Sequence, residues 1–387
     1  MTTTPQTGGR TSGSPLKRID TERVLLAVAA PLLALAGAFL LTSLVLWATG
    51  KAPFDAFSIM FDYGLKSDSQ VYILNKATGF FLSGLAVAIG FRMNLFNIGV
   101  DGQYRLAAFF AAVVGGALTL PGIIQIPLII LVAMAVGAAW AAIAGLLKVY
   151  RGVSEVISTI MLNALTTIII GYLLVDERLG ELDKDTNIVA TPPLPESSHF
   201  FTIPAGEGLE PVWGFIVVAA LAGVGYWFLL GRTRFGFDLR AVGRSESAAQ
   251  ASGVNVKRMV LISMLLSGAV AGLVGMPTLL NDSHQYSNNF PLGVGFTGIA
   301  IALLGRNNPV GIALAALLWG FLERGANRLE FEGYDREIVG VMQGVIVLCV
   351  VIAYELVRRY GTRRQQQKVG AELAAQARKN DAQEVTA

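Results

Sequence analysis

Residues 24–49 read VLLAVAAPLLALAGAFLLTSLVLWAT, a run of 26 positions without a single charge. A bilayer-spanning helix needs about 20 apolar residues, whereas the core of a signal peptide is only about 7–15 long. The run therefore predicts a first membrane helix rather than a cleaved leader. The whole chain agrees with it. Of its 387 residues, 53% are hydrophobic and 15% charged, against roughly 45–50% and 25% in soluble domains. The 43 glycines suit closely packed membrane helices. This composition excludes a disordered chain, a nucleic-acid binder and a disulfide scaffold. Cys349 stands alone inside an apolar run, so it forms neither an internal disulfide nor a Cys-based metal site. His199 and His284 are far apart in the sequence, which leaves no His-rich metal site either.

Working outward from residues 24–49, further apolar runs follow at 71–90, 103–119, 124–147, 156–175, 212–231, 259–280, 297–305, 309–323 and 338–357. The predicted fold is an all-α polytopic membrane protein of about ten spans. The run 297–305 is too short to cross alone. It either starts nearer Leu292 or forms a half-helix.

The charges lie at the edges. Residues 1–23 carry four Lys/Arg and two Asp/Glu, and residues 358–387 carry seven and three. The loop 232–258 has six basic and two acidic residues; the loop 176–211 has two and eight. Basic loops stay on the cytoplasmic side. The expected organisation is a cytoplasmic disordered tail (1–23), a transmembrane domain (24–357) with a cytoplasmic loop at 232–258, and a cytoplasmic basic tail (358–387). The acidic loop 176–211 is then external and is expected to be mobile.

With these orientations, spans two to five and seven to ten run in opposite directions, as inverted repeats do. Two stretches interrupt the apolar pattern: GFRMNLFNIGVDG at 90–102 and GRNNPVG at 305–311. Broken helices in paired positions point to a transport pathway, and tight turns are the other reading. Asn97, Asp101 and Asn307 are the candidate pathway residues here. Asp101 also reads as a helix-capping carboxylate. In GVSEVISTIMLNALTTII (152–169), Glu155, Thr159, Asn163 and Thr166 share one helical face. In lipid that stripe is costly, so it faces either a pathway or neighbouring helices, which it would join by hydrogen bonds. Asn163 and Glu155 join the pathway candidates, although Glu155 and Asp101 both fall near the expected inner boundary. Lys76, near the outer end of its span, is placed to snorkel. Gly268 and Gly272 form a small-residue face for helix packing. The loop NDSHQYSNNFPLGVGF (281–296) offers Tyr286 and Phe290 as stacking surfaces at an external mouth.

The basic loop reads GRTRFGFDLRAVGRSESAAQASGVNVKRM from Gly231. Ser245 caps a short helix and Gly253 ends it. Its segment RAVGRSESAAQASGVNV (240–256) resembles the coupling loop of bacterial ATP-binding-cassette (ABC) import permeases of the simple sugar and nucleoside branch. FNIGVDGQY (96–104), EVISTIMLN (155–163) and GFTGIAIALLGRNNPVG (295–311) resemble the same branch, in order. The combination is most similar to nucleoside-type permeases. The resemblance implies a permease subunit in the bacterial cytoplasmic membrane. It implies a cytoplasmic ABC ATPase docked on the coupling loop, a second related permease or a homodimer, and an extracytoplasmic binding lipoprotein. Carried over by motif, Arg240, Gly243, Ser245, Glu246 and Gly253 belong to the ATPase contact. The family motif often has Asn-Pro where this chain has Ser245-Glu246.

The residues agree on energetics: no G-x-x-x-x-G-K-[ST] loop is present, so ATP acts only through a partner and the chain binds no cofactor of its own. No catalytic constellation argues for a membrane enzyme. Other expectations are the same machine carrying a simple sugar such as ribose, or an ion-coupled secondary transporter.

Overall fold

The computed structural model describes residues 21–183 and 187–384, so most of the expected N-terminal tail lies outside the described residues. Helices form at every predicted apolar run: α1 (Thr21–Ala48), α3 (Ser67–Phe91), α4 (Val100–Ala117), α5 (Gly122–Arg151), α6 (Glu155–Leu173), α7 (Phe215–Arg232), α10 (Val256–Gly272), α12 (Val294–Leu304), α13 (Pro309–Phe331) and α14 (Arg336–Glu384). Shorter helices join them: α2 (Pro53–Gly64), α8 (Arg234–Arg244), α9 (Glu246–Ala251) and α11 (Met276–Thr278), the last running into a π-helical turn at Leu279–Ser283. Among the described residues, seven helices are long and apolar enough to cross a membrane, with shorter apolar helices at Ala36–Ala48 and Val294–Leu304. The protein is an all-α polytopic membrane protein. α12 is the half-helix; its 11 residues rise only about 16 Å, half a bilayer core. α14 continues as helix through the predicted basic tail.

The chain divides into two compact units, residues 1–41 with 348–387 and residues 42–347. In the first, Gly37 packs beside the buried Cys349.

Local signals set the helix ends. Asn308 accepts from the Val310 N–H at 3.0 Å and Pro309 takes the first position of α13, while Asn255 caps α10 through the Arg258 N–H. α5 stops at Gly152 in the left-handed conformation (φ 67°). The α5–α10 seam is close-packed through the predicted small-residue face. A methyl group on Gly272 would collide with the Ala133 backbone, and one on Gly268 with Gly137.

The 176–211 segment is structured rather than a free excursion. With the two residues that follow it, it forms two hairpins, β1 (Glu181–Asp183) with β2 (Ile188–Ala190) and β3 (Thr202–Ile203) with β4 (Val212–Trp213). Its backbone is laced onto 280–287: Thr191 N–H donates to Tyr286 O, Leu194 N–H to His284 O and Phe200 N–H to Leu280 O, at 2.8–3.0 Å. Polar composition alone does not reveal this lacing, because the bonds are main-chain to main-chain across about 90 residues. The same lid removes Tyr286 and Phe290 from any open mouth. Both are buried, 2% and 4% exposed, and stack on each other at 4.6 Å.

Candidate functional site

The stretch 92–99 breaks the chain between α3 and α4 and folds back into the bundle. Asn97, fully buried, organises it. Its amide N–H groups donate to Ser267 Oγ at 2.8 Å and Gln103 Oε1 at 3.0 Å, and its Oδ1 accepts from Gly99 N–H and Gln103 Nε2. Ser267 in turn donates to Ala86 O on α3. Asn163 on α6 clamps the next residues, accepting from Gly102 N–H at 2.9 Å and donating to Ile98 O at 3.0 Å. Glu155 holds the outside of the same break: it accepts from Lys148 Nζ at 2.6 Å and, at 3.4 Å, from Phe96 N–H. Thr159 and Thr166 spend their hydroxyls on carbonyls of their own helix.

A second irregular segment, 284–293, leads into α12, whose first turn meets the start of α4 at Asp101. The carboxylate accepts from Gly295 N–H at 3.2 Å, and Ser83 Oγ donates to Val294 O at 2.8 Å. Asp101 thus caps, but it caps α12 rather than its own helix. A side chain at Gly295 would run into the Asp101 backbone, so only glycine lets the two helix starts meet. This also places Asp101 level with Ser83, about 12 Å along α3 from its end at Phe91. It lies deep in the bundle rather than at the boundary. Two helix N-termini, α4 and α12, face this one carboxylate, and each carries partial positive charge. Arg105, one turn further on, adds its guanidinium 3.8 Å from Asp101 and donates to Thr167 Oγ1 at 3.0 Å. Sequence reasoning missed Arg105, although a lone arginine one turn after an aspartate in an apolar helix was a visible signal.

Asn307 lies in the four-residue turn between α12 and α13, where Arg306 and Asn307 both take positive φ of 54°. Its carbonyl accepts from Arg92 Nη2 at 2.6 Å and Tyr226 OH at 2.7 Å. The two predicted interruptions therefore touch, through Arg92. At the junction itself, however, the partner is the start of α12, at Val294 and Gly295.

The basic loop holds two helices. α8, unforeseen, buries Gly236, Leu239 and Val242 and is capped by Thr233. The predicted short helix is α9, capped by Ser245 Oγ accepting from Ala248 N–H, and closed at Gly253 (φ 86°). Glu246 is exposed in its first turn, and Arg240 donates to Leu230 O at the α7–α8 bend. Gly243 faces the break: a Cβ there would lie 2.5 Å from Arg92 O. Among the described residues no group of three or more His, Cys, Asp and Glu side chains could hold a metal.

The family model described as branched-chain amino acid transport system / permease component matches residues 69–351. The guanosine ABC transporter permease protein NupP of Bacillus subtilis is 38% identical over 291 residues, 73% of this chain and 81% of that one. The glucose ABC transporter permease protein TsgB13 of Haloferax volcanii is 31% identical, covering 87% of this chain and 90% of its own. The nucleoside ABC transporter permease protein NupB of Lactococcus lactis is 30% identical over 84% and 91%. No solved structure matches the chain.

Proposed function

The chain belongs to the family of branched-chain amino acid transport system permease components, and from that premise we propose that it is the membrane-spanning subunit of an ABC importer that carries a nucleoside. The likeness to guanosine and nucleoside permeases supports the substrate class. The likeness to a glucose permease supports a simple sugar as the second reading. The ATPase, a paired permease and an extracytoplasmic binding lipoprotein supply what the chain lacks, and the inner membrane with both termini cytoplasmic is the setting.

The observation that carries the mechanism is the seating of Gly243 against Arg92. α8 and α9 form the ATPase-facing surface, with Arg240, Gly243, Ser245, Glu246 and Gly253 along it. Arg92 begins the 92–99 break and also grips Asn307. A push on α8 therefore reaches the break directly, and through Asn97 and Asn163 it reaches Asp101 at the junction with α12. Such a switch needs two arrangements of packed elements, each favoured by a different state of the partner. Asn97, Asp101, Glu155, Asn163 and Asn307 act here as the hinges and clasps of the pathway.

The test is uptake of labelled guanosine and ribose in cells with and without the gene, repeated with ATP depleted and the proton gradient held. Gene-dependent guanosine uptake that vanishes with ATP is expected. Uptake that survives ATP depletion would overturn the ABC mechanism and return the secondary transporter; ribose uptake alone would move the substrate to the sugar branch.

A further inference from the structure

α2 is too short to span: its 12 residues rise about 18 Å. Four residues separate it from α1 and two from α3, and four extended residues reach only about 14 Å. It therefore stays at the membrane end where α3 begins at Ser67. The other end of α3, about 36 Å away, leads into Arg92, where Gly243 of α8 is seated. Successive helical residues turn by about 100°, which gives α2 three faces. Ala56, Met60 and Gly64 are buried, with Met60 against Gly325 and Gly64 against Phe321 of α13. Phe54, Phe61 and Leu65, at i, i+7 and i+11, share a second face and are 76%, 56% and 67% exposed. Asp55, Ser58 and Asp62 form the third face, also exposed.

The apolar face of α2 continues an apolar stripe of a span. Val310, Leu314 and Leu317 are exposed along α13 at i, i+4 and i+7. The next position of that stripe is Phe321, whose ring packs on Phe61 with centres 5.3 Å apart. From Val310 to Phe321 the stripe rises about 17 Å, short of the roughly 30 Å of a hydrocarbon core. α2 extends it. Beyond Phe321, cations gather on one ring of α2, Tyr63: Arg324 at 4.8 Å, Arg328 at 5.6 Å and Lys66 at 5.4 Å from its centre. Arg324 is further held by Ser69 and Asp68, and Arg328 by Glu332. Aromatic rings with Lys and Arg at the end of a span are the composition of a headgroup belt. Rings on one exposed face and carboxylates on the next match tails and water on the two flanks of a helix lying in a membrane interface. A partner protein would have to cover both chemistries. We propose that α2 is an interfacial helix seated in the lipid leaflet on the side away from α8 and α9. Phe54, Phe61 and Leu65 lie among the acyl chains, Asp55 and Asp62 in water, and Lys66 and Arg328 at the level of the phosphates. The inference is independent of which solute is carried.

Cys349 is the chain's one cysteine, so Leu65→Cys and Asp62→Cys in a Cys349→Ala background each take a single nitroxide label. The transporter is purified with its associated subunits and reconstituted in phospholipid vesicles. Power-saturation spectroscopy then compares collisions with oxygen, which concentrates among acyl chains, and with a water-soluble nickel chelate. The oxygen-to-nickel ratio at residue 65 is expected to exceed that at residue 62 severalfold, although the two positions are only three residues apart. Phe61→Cys, on the apolar face, is expected to match residue 65 and gives the same reading should the Leu65 variant fail to assemble. Nickel collisions as frequent on the apolar face as at residue 62 would place that face in water. A label on the apolar face shielded from both reagents would place a protein there. Either result overturns the proposal.

Discussion

Gly243 shows how one residue ties the surface helices to the interior. A methyl group there would sit 2.5 Å from the Arg92 carbonyl oxygen, a backbone atom that cannot swing aside. Gly243→Ala is expected to slow uptake by displacing α8 from the break, and Gly243→Asp, bulkier and charged, to abolish it while the permease still inserts. Uptake beside quantitative immunoblots of membranes decides this; full uptake by Gly243→Asp would separate α8 from the pathway. Asp101 is testable in the same way. Asp101→Asn keeps an oxygen for the Gly295 N–H, whereas Asp101→Leu leaves that buried donor unpaired, a cost of about 1–3 kcal/mol. The leucine variant is expected to melt clearly below the asparagine variant in a thermal-shift measurement on detergent-solubilised protein. Equal melting temperatures would remove the capping role.

At the scale of elements, α9 is the most separable piece. It buries only Ala249 and hangs between Ser245 and Gly253. Deleting 245–252 is expected to leave the membrane helices inserted and to abolish both ATPase co-purification and uptake; normal co-purification would place the docking surface elsewhere. Ser245→Ala, which removes only the cap, costs about 1 kcal/mol and is expected to weaken co-purification in part. The spans were legible in the sequence because length and apolarity are properties of a single segment, and the Gly268/Gly272 seam was legible because i, i+4 spacing makes a face. α8 hid inside a basic loop, although Phe235, Leu239 and Val242 have helical spacing and its inner face is apolar. The junction was half legible. Gly, Asn and Asp marked 90–102, but its partner, the start of α12, read as the end of a polar mouth, because what defines it are bonds to Val294 and Gly295 from distant residues, Ser83 and Asp101.

At the scale of the molecule, the fold brings together the chain's two histidines, 85 positions apart. The rings of His199 and His284 stack 3.6 Å apart and 13° from parallel, joining the lid formed by the 176–211 segment to the segment that leads into α12. Burial holds the His284 imidazole below its ordinary value of 6.5; the neighbouring His199 acts in the same direction, and Asp282 opposes both. Its Nδ1 is buried without a hydrogen-bond partner, so a proton there would have no acceptor. A base whose folded value is depressed stabilises the structure above its unfolded value, and that stability is lost as pH falls through about 6.5 toward the depressed value, where the unfolded lid binds the proton first. The lid is therefore expected to loosen on mild acidification. Limited proteolysis at residues 187–213 in membrane vesicles should accelerate severalfold between about pH 7.5 and about pH 5.5 in the wild type, after correction for the protease's own pH profile. The same comparison should be nearly flat in His284→Gln, which keeps a polar side chain without the titration. An equal acceleration in both proteins would assign the pH response to other groups and leave the stacked pair as packing.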